Sequence, residues 1–289
     1  MIVLDRATTE VTHFVRRMTG SSQAFLVGAD DGNFYVAKFP GTTKGPHVLV
    51  NECAGHAVYR SLGLSVPDWK AVSVSSRMIE DNASYWDPSG RGDVSLPRPG
   101  VCFCSQFFAA APARVFELLP VCRFSRLLNT EDFWLAWTAD VLAMHAASRH
   151  AVFVEEADQQ LRAFFVDHSS MFGGYDGTGT PNPSTSQYMD RRIYASRKAG
   201  LSSRLLRRLR RIDIDALWSC IQSVPDEWKT LSALQAVSSG LDRLSDIDLG
   251  QAVCEELMSA VDELSGESKR PLIDQHPNEG AVVHAMGQR

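Results

Sequence analysis

From Val11 to about Phe108 apolar and polar residues alternate in short runs, a strand-like pattern broken by one helical stretch. Ala24–Gly28 (AFLVG), the turn Ala29-Asp30-Asp31-Gly32 and Asn33–Phe39 (NFYVAKF) read as a hairpin, because Asp-Gly between apolar runs favours a tight connection. His47–Leu62 spaces its apolar residues for a helix and meets a stop at Gly63. A strand is expected from Val66-Pro67 through Val72 and Val74. Residues 79–100, rich in Asp, Ser, Pro and Gly, read as a long loop, and Val101–Phe107 as the next strand. Cys102 and Cys104, two apart in that strand, fall on one face.

After about Ala109 the pattern turns helical. Thr130-Glu131-Asp132 opens a long apolar segment to about Ala147, with Thr130 as the expected N-cap and two acids in the first turn. Short strands are expected near Ala151–Val154 and Ala163–Val166, then a Gly/Ser/Thr/Pro-rich loop from Gly173 to Ser186. Tyr188–Leu264 reads as helical again, with Pro225-Asp226-Glu227 as a helix start. Ser265–Arg289 lacks apolar periodicity and is expected to be a disordered tail. No internal repeat is visible. The fold class is α+β in two lobes: a β-rich N-lobe over residues 1–108, with its main helix at 47–62, and a helical C-lobe over 109–264. Any ligand is expected between them.

Composition narrows the function classes. The 289 residues are 44 % hydrophobic and 22 % charged, which excludes a wholly disordered or collagen-like chain. With 29 Lys+Arg against 34 Asp+Glu the net charge is −5, giving no global nucleic-acid signal. The longest stretch free of Asp, Glu, Lys and Arg, Pro99–Ala113, falls short of the ~18–20 apolar residues that span a bilayer. Charge at Asp5 interrupts any signal-peptide core, so a cytoplasmic location without membrane contact is expected. The six cysteines form no CxxC pair and read as reduced, mostly packed side chains rather than zinc ligands.

Three charged positions carry candidate chemistry. Lys38 sits inside the apolar run YVAKF, where a buried ammonium needs a partner, and Glu52 follows on the predicted helix. A strand lysine paired with a helix glutamate is how protein kinases hold ATP phosphates; a surface salt bridge would give the same pattern. Asp167 ends the apolar strand Phe164-Phe165-Val166 and enters a small-residue loop, a placement suited either to Mg²⁺ or to capping a turn. His168 beside it reads as a structural hydrogen-bonder.

These pieces occur in an order that resembles HipA-like kinases. Gly20-Ser21-Ser22-Gln23, YVAKF, Leu49-Val50-Asn51-Glu52 and Leu62-Gly63-Leu64-Ser65-Val66-Pro67 are similar to the N-lobe of that family, and FFVDHSSMFGG to its metal-binding segment. Val224-Pro225-Asp226-Glu227-Trp228 is similar to a proline-glutamate-tryptophan motif of one subfamily. The resemblance, over roughly residues 10–250, implies a bilobal protein-kinase-like fold. It implies ATP and Mg²⁺ as cofactors, with Lys38 on the phosphates, Glu52 holding Lys38, and Asp167 on the metal. Gly20, Ser21, Ser22 and Gln23 would close over the nucleotide, and adenine would lie near Cys104-Ser105-Gln106-Phe107.

One segment departs from the family. In Asp140–Phe153 (DVLAMHAASRHAVF), alignment on the arginine and phenylalanine puts Ala147 where the catalytic aspartate belongs, His145 at an Asn position and His150 at a Gln position. A second register, on Ser148-Arg149-His150, puts Ser148 there instead, and neither supplies a carboxylate. Val152 falls at the second metal-ligand position. Asp140, about 10 Å away along a helix, is too far to substitute. His145 or His150 as an unconventional base stays open. The expected function is therefore an ATP/Mg-binding HipA-like protein with impaired or absent phosphotransfer. The alternatives are an active kinase on a Ser/Thr or small-molecule hydroxyl, and a scaffold with an empty cleft. Arg204–Arg211 (RLLRRLRR) places Arg204, Arg207, Arg208 and Arg211 opposite a Leu205/Leu209 stripe, either a solvated face or a dock for an anionic partner.

Overall fold

The structure is a computed structural model that describes residues 9–18, 23–42, 44–45, 47–86, 96–108, 114–180, 183–195 and 199–267. Strands β1 (Val11–Arg17), β2 (Phe25–Ala29), β3 (Phe34–Lys38), β4 (Trp69–Val74) and β5 (Gly100–Gln106) form an antiparallel sheet in the order β1-β2-β3-β5-β4. The β2–β3 hairpin turns where Asp-Gly predicts. Gly32 has φ +79° with nothing near an added Cβ, so backbone conformation rather than crowding asks for glycine.

Alternation along β3 and β5 gives the sheet two different faces. Cys102 and Cys104 point to one of them, into a cluster with Phe14, Phe25, Phe39 and Trp86. Helices α2 (Ser76–Asp81) and α3 (Ala83–Trp86) cover this face, where the sequence reading expects the long loop to begin. Ser75 caps α2 by accepting from Met78 N at 3.2 Å, and the Trp86 ring lies 4.1 Å from that of Phe25. An apolar sheet face has to be covered, and Met78, Ile79 and Trp86 supply the cover despite the turn-forming composition around them.

The other face looks toward helix α1 (Val48–Ser61), buried from Val48 to Tyr59 because it lies between the sheet and the second lobe. That lobe holds a small sheet, β6 (Val115–Phe116), β7 (His150–Glu155) and β8 (Leu161–Val166), in the order β6-β7-β8. Its helices are α4 (Thr130–Leu142), α5 (Pro183–Ser186), α6 (Arg192–Ala195), α7 (Leu201–Leu209), α8 (Ile214–Gln222), α9 (Leu231–Ser245) and α10 (Ile247–Glu267). Tyr194 meets Trp134 and Trp137 edge to face in its core, and the two indoles lie tilted to one another.

Two helix starts differ from expectation. Thr130 is the first helical residue of α4 and Asn129 the N-cap; Asn129 ties instead to Ala163, accepting from its N at 2.9 Å and donating to its O at 3.0 Å. Asp226–Trp228 makes a single 3-10 turn, and α9 begins after it with Thr230 accepting from Ala233 N. Helix α10 continues to Glu267, past the expected end at Leu264; the rest of the expected tail lies outside the described residues. Among the described residues no helix is long and apolar enough to cross a membrane.

Candidate functional site

Strand β3 points Val36 and Lys38 into a cavity of about 290 Å³ between the lobes. Lys38 Nζ donates to Glu52 on α1 and to Asp167, which follows β8, so one ammonium joins three elements. The Lys38 and Glu52 side chains are nearly sealed from solvent, while Asp167 is 30 % exposed. Glu52 Oε2 also accepts from His168 N at 3.2 Å, and Ser169 Oγ donates to Asp167 Oδ1 at 2.8 Å.

Electrostatics follows from this geometry. Burial alone would push the Lys38 ammonium down, but Asp167 and Glu52 reverse it and hold the group above its ordinary value. Burial likewise opposes ionisation of Asp167, yet Lys38, His150 and Ser169 hold its carboxyl well below the usual range. The two carboxyls share one cation unequally: burial leaves Glu52, the deeper one, above its ordinary value even with Lys38 beside it.

Asp167 is fixed from behind. Its φ is +61°, an uncommon conformation for a residue with a side chain. Arg149 holds the strand end there, donating from Nη1 to Val166 O (3.1 Å) and Asp167 O (3.3 Å) while its other nitrogens grip Asp140 at 2.8 and 2.6 Å. Asp140 also accepts from Tyr59 Oη at 2.7 Å. This aspartate is fully buried and committed, which removes it as a substitute base.

The loop after Asp167 is held on two sides. Asn51 Nδ2 donates to Ser169 O, Met171 O and Gly174 O at 3.0, 2.8 and 2.9 Å. From the loop after α4, Ala143 O and Met144 O accept from Phe172 N and Gly173 N, and Ala146 N donates to Ser170 O. Gly55 of α1 permits the close approach, since a Cβ there would stand 2.5 Å from His168 Cβ and 2.6 Å from Met171 Sδ.

Of the residues singled out in the sequence, Lys38, Glu52, Gln106, His150 and Asp167 line the cavity together. Cys104 does not: alternation along β5 turns it to the far face, and Phe103 and Ser105 line the cavity in its place. Gln23 is described with φ +51° and lies outside the lining, although Met18 and Ala24 contribute to it. Gly20, Ser21 and Ser22 lie outside the described residues. Ala147 is half-buried between α4 and β7, and His145 turns back to bond its carbonyl oxygen, buried and away from the cavity lining. Arg16, Phe108 and Glu117 line the cavity without having been singled out, because nothing local distinguishes them from ordinary strand and loop residues.

A cage for magnesium would need several oxygen ligands from the protein, and among the described residues no group of three or more His, Cys, Asp or Glu is placed to form one. One carboxylate plus substrate phosphates suffices for this ion, and Asp167 fits that role, while Val152 lines the cavity as an apolar wall. On α7, Arg204 meets Glu131 at 3.1 Å and Arg208 meets Asp132 at 2.7 Å while donating to Leu62 O, so these two arginines bind helix to helix rather than facing outward. Arg207 and Arg211 are exposed.

No protein-family model and no curated protein sequence matches the chain. Solved structures do. A Helicobacter pylori proinflammatory kinase, CtkA, superposes with TM-score 0.53 at 15% identity, over 87% of this chain and 98% of that one. A Golgi casein kinase superposes with TM-score 0.54 at 12% identity, over 88% and 75%. The same kinase with Mn/ADP bound gives TM-score 0.50 at 12% identity, over 88% and 74%. The antiparallel N-lobe sheet, the helix beneath it and the helical second lobe thus make up a protein-kinase-like fold.

Proposed function

We infer that this chain is a HipA-like kinase-fold protein that binds a nucleoside triphosphate between its lobes and is impaired in phosphoryl transfer to hydroxyl groups. The observation that carries this reading is the convergence of Lys38, Glu52 and Asp167 in one cavity. A cation held by two carboxylates, one of them part-exposed, can exchange an aspartate contact for phosphate oxygens. The Golgi casein kinase seen with Mn/ADP supports nucleotide and a divalent metal as ligands for such a cleft.

In this reading Lys38 meets the phosphates and Glu52 keeps it aimed. Phe103 and Val36 wall the base, beside the polar edge of Ser105 and Gln106. Magnesium, when bound, neutralises phosphate charge, and Asp167 is the residue that would hold it. Impairment follows from the catalytic-loop position, where Ala147 supplies no carboxylate; among the described residues the carboxylates of the lining are Glu52, Glu117 and Asp167. Glu52 and Asp167 are engaged by Lys38, and the loop carrying Ala147 adds none. A positioned general base is worth ~10²–10⁴-fold.

Thermal unfolding with ATP and Mg²⁺ tests this directly. Nucleotide at 100 times its Kd stabilises the folded state by about 2.7 kcal/mol, a shift that Lys38→Ala and Asp167→Ala should abolish. Ala147→Asp should raise transfer to hydroxyl acceptors without weakening that shift. No shift at millimolar nucleotide would favour the scaffold reading.

A further inference from the structure

Among the described residues the loop carrying Ala147 offers no carboxylate to a hydroxyl acceptor, yet the cavity contains a nucleophile that needs no base. His150 opens β7 opposite Val166, the residue before Asp167, and its side chain is 56 % exposed. It lines the cavity with Lys38 and Asp167. Its Nδ1 faces Asp167 Oδ2 at 3.3 Å. A hydrogen on Nδ1 directed at that carboxylate leaves the lone pair on Nε2, the orientation a carboxylate imposes on histidine in hydrolytic triads. The neighbouring histidines are spent elsewhere. His56 bonds Pro67 O, His145 bonds Ala147 O and His168 meets Arg149 Nη1, all three buried.

Resting on the nucleotide reading above, we propose that His150 Nε2 accepts the γ-phosphoryl group of the bound nucleoside triphosphate, so that the protein phosphorylates itself on a histidine. The Nε2 lone pair forms a nitrogen–phosphorus bond as the bond from the γ-phosphorus to the β,γ-bridging oxygen breaks. The nucleoside diphosphate leaves with that electron pair. No proton has to be removed from Nε2, so the absence of a carboxylate at Ala147 does not impede the step. The positive charge gained by the ring faces Asp167 through Nδ1–H, while Lys38 stands beside the phosphates. A strand-borne imidazole oriented by a carboxylate next to the phosphate-binding lysine thereby serves as the acceptor.

The test incubates the full-length protein with Mg²⁺ and ATP labelled in the γ-phosphate. Expected is protein-bound label that survives alkali and is lost in warm acid, the reverse of phosphoserine and phosphothreonine. It should map under neutral conditions to the peptide containing His150. His150→Gln and His150→Ala should lose the label. Absence of label on a protein that binds ATP, an acid-stable label, or undiminished label in both variants would each overturn the proposal. A wild-type protein showing no ATP shift would overturn the nucleotide reading itself, and this inference with it.

Discussion

Three histidines are buried near cations, and their response to acid is a residue-scale consequence. Burial pushes His56 and His145 down to about 4, with Arg60 and Arg149 respectively adding to the effect, while burial and Arg149 hold His168 well below its usual value. The unfolded chain takes up these protons near pH 6.5, whereas the folded chain keeps His56 and His145 neutral down to about pH 4 and His168 neutral well below its usual range. Stability is therefore full above pH 6.5 and falls as pH drops toward 4. At pH 5 His56 and His145 each cost roughly 2 kcal/mol, and His168 adds in the same direction. Urea midpoints should fall steeply between pH 7.5 and pH 5; a flat profile would refute the assignment of these rings as neutral and enclosed. At the same scale, Lys38, Glu52 and Asp167 were legible in the sequence because a charge inside an apolar run stands out. Asn51 and Arg149 sat beside singled-out residues but gave no sign of their role. Their partners are backbone carbonyls and a distant aspartate, which no local pattern encodes.

Among elements, the hairpin β2–β3, helix α1 and strands β7 and β8 follow closely from turn chemistry and periodicity, since each is decided within its own residues. Helices α2 and α3 were hidden in a loop-like composition because their cause is the apolar sheet face they cover. Cys104 shows the complementary difficulty: alternation put it on one face with Cys102, but only the assembled sheet decides which face meets the cavity. Helix α1 depends on Gly55 for its seat. Gly55→Ala sets a methyl 2.5 Å from His168 Cβ, a branch point beside backbone that cannot swing aside. Such overpacking costs about 1–3 kcal/mol. The variant should melt earlier and, because α1 carries Glu52, should also show a smaller ATP-induced shift. Wild-type values for both would mean that α1 has slack against the loop.

Across the whole molecule, the proline-glutamate-tryptophan motif acts between lobes. Glu227 Oε1 accepts from Val101 N at 2.6 Å, and Trp228 Nε1 donates to Val101 O at 2.8 Å. Both polar groups of one β5 peptide position are thus satisfied from the helical lobe, next to Gly100, where a Cβ would stand 2.8 Å from Glu227. The motif was visible in the sequence, and its target 127 residues earlier was not. Trp228→Phe keeps most of the ring and deletes the donor, leaving the Val101 carbonyl unpaired at a cost of about 1–3 kcal/mol. Hydrogen exchange along β5 should accelerate in this variant, whereas unchanged protection would show that the Trp228 hydrogen bond contributes nothing to holding β5.

The grip of Asn51 on three carbonyls has a dynamic consequence. Helix α1 is tied to the segment from Ser169 to Gly174, so a swing of the helix that leaves the segment behind would take a donor from all three carbonyls, leaving only Met171 O with another, Gly174 N. The familiar style of control in which a lysine–glutamate contact is broken by rotating one helix outward is therefore costly for this chain.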